Sequence, residues 1–229
     1  NLKDEMYSIE TEAYYKTVQN RIDYRAGADL IAEEQIETII LPGTSRSYGL
    51  ELSFKKNKGD FKGWISYTLS KTEQQVKGTT FEATGINNGD WYNAPYDKTH
   101  DLSITSSYKA SEKWRYGANF IYQTGRPTTY PTGQFTTNLG GNYSNESENI
   151  TVPIYGNRNA FNLPAYHHLD IAATYTPERK TAKKWKGEWV FSIYNVYNRK
   201  NAAAMNFRQN EDNGSNEAVR SSIFGMVPS

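Results

Sequence analysis

Residues 46–73 read RSYGLELSFKKNKGDFKGWISYTLSKTE, and this stretch decides the fold. Apolar side chains occupy every second position on both sides of a polar turn, at Tyr48, Leu50, Leu52 and Phe54 and then at Ile65, Tyr67 and Leu69. The positions between them carry mainly Ser, Gly, Glu and Thr. A period of two places alternate side chains on opposite faces of a strand. The stretch therefore predicts a hairpin with one apolar face and one polar face.

The same alternation recurs along the chain and predicts about eight strands. Their expected bounds are about Glu5–Asn20, Ser45–Lys55, Phe61–Glu73, Asp97–Lys109, Trp114–Thr124, Tyr166–Thr176, Glu188–Phe207 and a last strand from about Ala218 to Val227. The returns after the second, fourth and sixth strands are short, and the others are long, the longest being Gly125–Asn162. Antiparallel up-and-down order puts every short return at one end, as in outer-membrane barrels.

The composition agrees with a membrane barrel although the mean hydropathy is only −0.79. No run approaches the roughly 18 apolar residues of a membrane helix, but in a barrel only half of each strand meets lipid. The 18 tyrosines and 5 tryptophans are ring types that favour the membrane–water interface. An aromatic girdle is expected beside the short turns, formed by Phe54, Phe61, Trp64, Tyr108, Trp114, Tyr175, Trp185 and Trp189.

Each face of the predicted strands has an expected environment. The lipid face should carry Ile65, Tyr67, Leu69, Leu102, Ile104, Phe120, Leu169 and Ile171. The lumen face should carry Glu51, Thr68, Thr105, Asn119 and Asp170. A soluble β-sandwich is the competing interpretation, but strands of about a dozen residues and such long loops are unusual in one.

Four segments strongly resemble the C-terminal barrel part of TonB-dependent outer-membrane receptors of the Bacteroidetes type. They are RSYGLELSFKKNKGDFKGWISYTLSKTE, WYNAPYDKTHDLSITSSYKASEKWRYGANFIYQTGRPTTYP, NLPAYHHLDIAATYTP and FSIYNVYNRKN. The resemblance implies an all-β, antiparallel up-and-down transmembrane β-barrel of about 22 strands, of which about eight are present. Residues 1–229 would form its C-terminal portion, without the plug domain, its energy-coupling box or the final barrel residues.

The resemblance also implies a function in the bacterial outer membrane. The whole protein would import a scarce nutrient, namely a siderophore, another metal chelate, a glycan or a peptide, with energy from the inner membrane. Expected partners are outer-membrane lipid, the TonB complex through the plug, the barrel assembly machinery and a surface lipoprotein. The net charge of +1 gives no reason to expect nucleic acid. The alternative is a small outer-membrane barrel acting as an adhesin or structural protein.

No constellation for catalysis is found, so the chain is expected to be neither an enzyme nor a holder of a cofactor or metal. Cysteine is absent, which removes thiolate chemistry. His168 and Asp170 share one strand face and are interpreted as polar lumen lining, while Asp97, His100 and Asp101 are interpreted as a hydrogen-bonded outer rim. Ligand-binding residues are expected where external loops descend to the mouth, at Trp91, Tyr92, Asn93, Arg126, Tyr130, Tyr155, Asn157 and Arg158.

Overall fold

The computed structural model describes residues 5–25, 37, 39–78, 85–138, 149–178, 187–209 and 216–228. Its strands are β1 Tyr7–Tyr24, β2 Ile40–Lys56, β3 Phe61–Gln75, β4 Tyr92–Asn93, β5 His100–Lys109, β6 Trp114–Gln123, β7 Pro127–Thr128, β8 Pro131–Asn138, β9 Asn149–Tyr155, β10 Phe161–Asn162, β11 Tyr166–Tyr175, β12 Trp189–Tyr194, β13 Ala202–Gln209, β14 Asn216–Ser222 and β15 Val227–Pro228. A 3₁₀ turn covers Ile86–Gly89. No helix in the described ranges is long and apolar enough to cross a membrane.

The long strands form one antiparallel sheet in which chain neighbours are also spatial neighbours. Its order is β1-β2-β3-β5-β6-β11-β12-β15, with β4 added beside β3. The returns from β2 to β3 and from β5 to β6 take only residues 57–60 and 110–113. Long connections lie at the opposite end. The predicted up-and-down order is therefore confirmed.

The strand register puts the predicted apolar residues on one face. One continuous row across the sheet pairs Ile9, Phe54, Ile65, Ile104, Phe120 and Leu169. The neighbouring row on the other face pairs Thr105 with Asn119 and Asn119 with Asp170. A hydrogen bond of 2.8 Å joins Thr105 Oγ1 to Asn119 Oδ1. The predicted division into an apolar and a polar face is confirmed.

The apolar face is not the interior of a sandwich. Ile65 keeps 43% of its surface exposed, and Leu50, Leu52 and Leu69 are similarly exposed. The buried apolar residues of the described ranges, Ile39, Val76, Ile86, Tyr92 and Ala94, lie toward the outer rim instead. A sheet whose apolar face lacks a protein partner needs another apolar environment, which lipid supplies.

An aromatic band borders the apolar face beside the short turns. Tyr7 stacks on Phe54 with ring centroids 5.9 Å apart, and Trp114 lies 4.9 Å from Tyr175. Phe61, Tyr108 and Trp189 extend the band. The prediction that Trp64 belongs to this band is wrong. Trp64 pairs with Lys55 and Thr105 on the polar face, because it lies one residue from Ile65 in an alternating strand. Trp185 lies outside the described residues.

A second band of rings, not predicted from the sequence, crosses the same face toward the outer end. Tyr15 stacks on Tyr48 at 6.2 Å. Farther along the sheet, the Tyr67 hydroxyl lies 2.8 Å from His100 Nδ1, and the Tyr197 hydroxyl lies 2.7 Å from His167 Nδ1. Two bands enclosing an apolar zone are typical of a transmembrane barrel. His100 and His167 thus belong to the outer interface.

The predicted seventh strand, Glu188–Phe207, is wrong as one continuous element. β12 ends at Tyr194, where Asn195 and Asn198 adopt left-handed conformations with φ of 53° and 54°. Asn tolerates this region better than most residues, and it breaks the strand geometry. Asn195 and Arg199 close the turn with reciprocal side-chain to backbone hydrogen bonds. After the turn, β13 and β14 form a separate hairpin.

The predicted last strand, from Ala218 to Val227, is likewise divided into β14 and β15. Phe224 at the break has a φ of 62°. Only β15 joins the main sheet, pairing with β12. The long connection Gly125–Asn162 also contains more structure than expected. It holds the β8–β9 hairpin and a short β7–β10 pair at its base.

Candidate ligand-binding rim

A β-bulge in β1 determines which of its side chains face the lumen at the rim. The register changes from Val18 opposite Ser45 to Arg21 opposite Gly43, so β1 contains one extra residue. Asn20 takes the positive φ of 57° at this point. Bulges change which face the following residues occupy. Arg21 and Asp23 therefore share the polar face, which is the lumen side of the wall.

The connection between β3 and β4 folds back over this inner wall. Val76, Ile86 and Tyr92 form a small buried cluster with Leu41 packed against it. The close approach requires glycine in β2. A Cβ on Gly43 would lie 2.4 Å from the Gln75 carbonyl oxygen and 2.8 Å from a Val76 methyl carbon.

Asp23 is the centre of a hydrogen-bonded group at the rim. Its Oδ1 accepts from Arg158 Nη1 at 2.7 Å, and its Oδ2 accepts from the Tyr92 hydroxyl at 2.5 Å. Arg158 Nη2 also donates to the Tyr24 carbonyl oxygen at 2.9 Å. Burial, followed by the hydrogen bond to the Asp23 carboxylate, raises the pKa of Tyr92. The tyrosine is thus held as a neutral donor.

Further bonds tie the loop after β9 to the loop before β4. The Arg158 backbone N–H donates to Asn87 Oδ1 at 2.7 Å, and Asn87 Nδ2 donates back to the Arg158 carbonyl at 3.1 Å. Asn159 Nδ2 donates to the Asn93 carbonyl at 2.7 Å, and its N–H donates to Thr129 Oγ1 at 3.0 Å. Together with the Asp23 bonds, these contacts form what we call the rim latch.

Asp97 links the segment before β5 to β3 through a hydrogen bond. It is almost fully buried, and its Oδ1 accepts from the Thr72 backbone N–H at 2.6 Å. Lys71 Nζ lies 3.8 Å from its other oxygen and donates to Asn93 Oδ1. Burial raises the pKa of Asp97, while the Thr72 N–H and Lys71 act in the opposite direction. These contacts match the structural interpretation of this rim segment.

The structure separates the eight predicted ligand-binding residues into two groups. Tyr92, Asn93 and Arg158 take part in the rim latch. Trp91 lies beside them, with the Arg46 guanidinium 4.1 Å from its ring centroid and Arg46 ion-paired to Glu73 at 2.7 Å. These four positions stabilise the rim.

The other four residues, Arg126, Tyr130, Tyr155 and Asn157, lie at the base of the β8–β9 hairpin. Tyr130 stacks on Phe161 at 5.0 Å, and the Tyr130 carbonyl accepts from Gly156 N–H at 3.2 Å. Tyr155 is 54% exposed, and Arg126 and Asn157 are also exposed. We call these four residues the hairpin-base group.

Sequence reasoning missed Asp23, Asn87 and Asn159 as members of the rim. Asn87 belongs to an Asn-Asn-Gly sequence, which is a turn signal. Asp23 lies beyond an unpredicted bulge and carries no motif. His168 is predicted to line the lumen, and its Nδ1 lies 2.8 Å from Asp170 Oδ1 on the polar face. Within the described ranges, no three His, Asp or Glu side chains group closely enough to hold a metal ion.

Comparison with known proteins gives the family. The family model described as TonB dependent receptor-like, beta-barrel matches residues 1–198. No curated protein matches the chain significantly. Among solved structures, the chain is similar to the ferripyoverdine receptor of the outer membrane of Pseudomonas aeruginosa bound to ferripyoverdine, with a TM-score of 0.51 and 14% identity. That match covers 89% of this chain and 23% of the receptor, and it shows likeness of fold. The chain belongs to the TonB-dependent receptor β-barrel family and forms part of a barrel wall in the bacterial outer membrane.

Proposed function

We propose that the whole protein imports a scarce nutrient across the outer membrane, with energy delivered by the TonB complex to a plug domain outside this chain. Residues 1–229 form a C-terminal portion of the barrel in this proposal. Family membership supports it, and a receptor family also agrees with the prediction that the chain is not an enzyme. The chain would supply wall, lumen lining and external loops.

One observation carries the assignment of the ligand to this rim. The rim latch fixes the loops around the mouth, while Arg126, Tyr155 and Asn157 of the hairpin-base group remain exposed beside it. Binding residues are commonly presented by loops on a rigid scaffold. Tyr155, Asn157 and Arg126 offer an aromatic face, an amide and a guanidinium, which suit a ligand with mixed aromatic and polar groups.

A ferric siderophore is the first ligand class to test. The structural neighbour binds ferripyoverdine, which supports this choice without assigning a ligand here. Other metal chelates, glycans and peptides are the remaining classes. We also propose that the protein is of the Bacteroidetes type, is inserted by the barrel assembly machinery and works with a surface lipoprotein.

A self-contained small barrel, as an adhesin or structural protein, is the second candidate. In such a barrel the first and last strands pair to close the wall, since an open edge in hydrocarbon leaves backbone groups unsatisfied. Over the described residues, the sheet runs from β1 to β15 and these two strands do not pair with each other. This topology favours the larger receptor barrel.

The test is uptake of radioactive iron by cells carrying the full-length gene. We expect that a panel of ⁵⁵Fe-siderophores includes one whose uptake is lost on gene deletion and on dissipation of the proton gradient. Tyr155→Ala should lower the apparent affinity for that chelate, whereas Tyr108→Ala, an exposed tyrosine beside a short turn, should not. Growth and uptake unaffected by deletion, across chelates, glycans and peptides, would exclude the import function.

A further inference from the structure

Arg21 is a cation on the inner wall, and the acidic side chain that follows it on the same face of β1 is already engaged. Asp23 lies two residues away on the same face. Its Oδ1 accepts from Arg158 Nη1 and from the Tyr24 backbone N–H, both at 2.7 Å, and its Oδ2 accepts from Tyr92. The carboxylate therefore directs its hydrogen bonds away from Arg21.

The Arg21 side chain has an unused donor. Its Nε is shielded from solvent and has no hydrogen-bond partner among the described residues. Within those residues, Arg21 also makes none of the ion pairs that hold Arg46 and Arg158. A shielded donor without an acceptor is costly, and native structures seldom contain one without a reason.

Tyr96 provides a second group at the same place. The Arg21 guanidinium lies 5.5 Å from the Tyr96 ring centroid. Tyr96 is half-exposed, and its hydroxyl makes no hydrogen bond to the part of the chain that the structure describes. The pair therefore presents a guanidinium fork and a phenolic donor together, and both groups suit an oxyanion.

The charges of the three neighbouring groups Arg21, Asp23 and Arg158 point the same way. Arg21 and Arg158 bring two positive charges, and Asp23 brings one negative charge. Arg158 shares its charge with Asp23, so the excess positive charge remains at Arg21. Protein packed beside such a partly buried charge strengthens its attraction for an anion compared with open water.

We infer that Arg21 and Tyr96 form an oxyanion-binding subsite on the lumen side of the barrel mouth. Arg21 would form paired hydrogen bonds with a carboxylate or phosphate oxygen pair, and the Tyr96 hydroxyl would donate to the same group. This inference rests on the proposed import function, because it makes the oxyanion part of the imported ligand. It identifies that ligand as an anionic one.

The test is equilibrium dialysis of the full-length receptor in detergent against ¹⁴C-citrate and, separately, ³²P-phosphate at low ionic strength. We expect saturable binding of at least one probe. Arg21→Gln should weaken it at least tenfold, Arg21→Lys less, and Tyr96→Phe severalfold. The matched control Arg46→Gln removes a guanidinium that is paired with Glu73 on the other face, and it should leave binding unchanged.

Each outcome of this experiment decides the inference. Binding of citrate alone assigns a carboxylate, and binding of phosphate alone assigns a phosphate group. Equal binding by the wild type and Arg21→Gln, or binding of neither probe, overturns the subsite. Binding of neither probe would mean that the protein's own carboxylates already satisfy Arg21. If Arg21→Gln does not fold, the comparison uses Tyr96→Phe and Arg21→Lys: weaker binding than the wild type supports the subsite, and binding equal to the wild type overturns it. Failure of uptake with intact anion binding would reject import and leave the subsite standing.

Discussion

Replacing Asp23 by Asn should loosen the rim latch while leaving the barrel wall intact. The amide has a single acceptor oxygen, so either Arg158 or Tyr92 loses its partner. The side chains of Arg158 and Asp23 are only 21% and 15% exposed, so solvent screens their interaction weakly. Hydrogen bonds to charged groups contribute about 1.5–3 kcal/mol. We therefore expect the latch to open about 2 kcal/mol more easily, which corresponds to roughly 30-fold.

Hydrogen–deuterium exchange of the full-length receptor measures this opening locally. The Arg158 and Asn159 backbone N–H groups are bonded in the latch, so exchange of residues 156–160 reports on it. Exchange of residues 156–160 should become roughly 30-fold faster, while the backbone N–H groups of β5 remain protected. Asp101→Asn is the matched control, since Asp101 accepts from Gln123 in the wall. Unchanged exchange at 156–160 in Asp23→Asn would show that Asp23 does not hold the loop.

Three further predictions concern the wall and the rim. Ile104→Arg on the lipid face should lower the unfolding free energy of the inserted receptor by about 2–4 kcal/mol if this site lies at the midplane. Thr105→Arg on the lumen face should lower it less. Urea titration in lipid vesicles compares the two variants, and equal losses of stability would contradict the assignment of faces. Because burial raises the folded-state pKa of Asp97, its contribution to stability should be largest at low pH and decline as pH rises from about 4, the unfolded value, through the folded pKa. Asp97→Asn should remove this decline from the pH profile of thermal unfolding, and an identical profile in the variant would refute the assignment. Gly43→Ala should destabilise the rim by about 1–3 kcal/mol because the added Cβ overlaps Gln75 and Val76. Gly133→Ala is the control, since a Cβ at Gly133 has space. Thermal unfolding that does not distinguish the two variants would contradict the close packing at Gly43.

The barrel wall could be predicted because its signal is local and repeated. Strands β2, β3, β5, β6 and β11 of the main sheet show the period of two, and the short returns fix the pairing of neighbours. The register then follows, as shown by Ile65 opposite Ile104 and Ile104 opposite Phe120. Trp64 departs from the prediction because it lies close to the turn but occupies an even position of β3, which faces the polar side.

The rim could be predicted only in part because its contacts are distant in sequence. Arg158 and Asp23 are 135 residues apart, and no local pattern connects them. The break of β12 at Asn195 depends on left-handed backbone conformations and on the reciprocal bonds with Arg199. Sequence reasoning identified Tyr92 and Arg158 by their chemistry, but it did not show that they bond to the same carboxylate.

The distance along the chain between the partners of the rim latch also bears on the order of folding. Closing a loop of 135 residues in a disordered chain carries an entropy cost of roughly 4 kcal/mol plus a constant. A single ion pair does not offset such a cost. Once β1, β2, β3, β5, β6 and β11 have paired in sequence, the sheet itself brings Asp23 and Arg158 together, and closure needs little further ordering. The latch is therefore expected to form after the wall, so that protection of residues 156–160 during insertion marks a mouth that has reached its final shape.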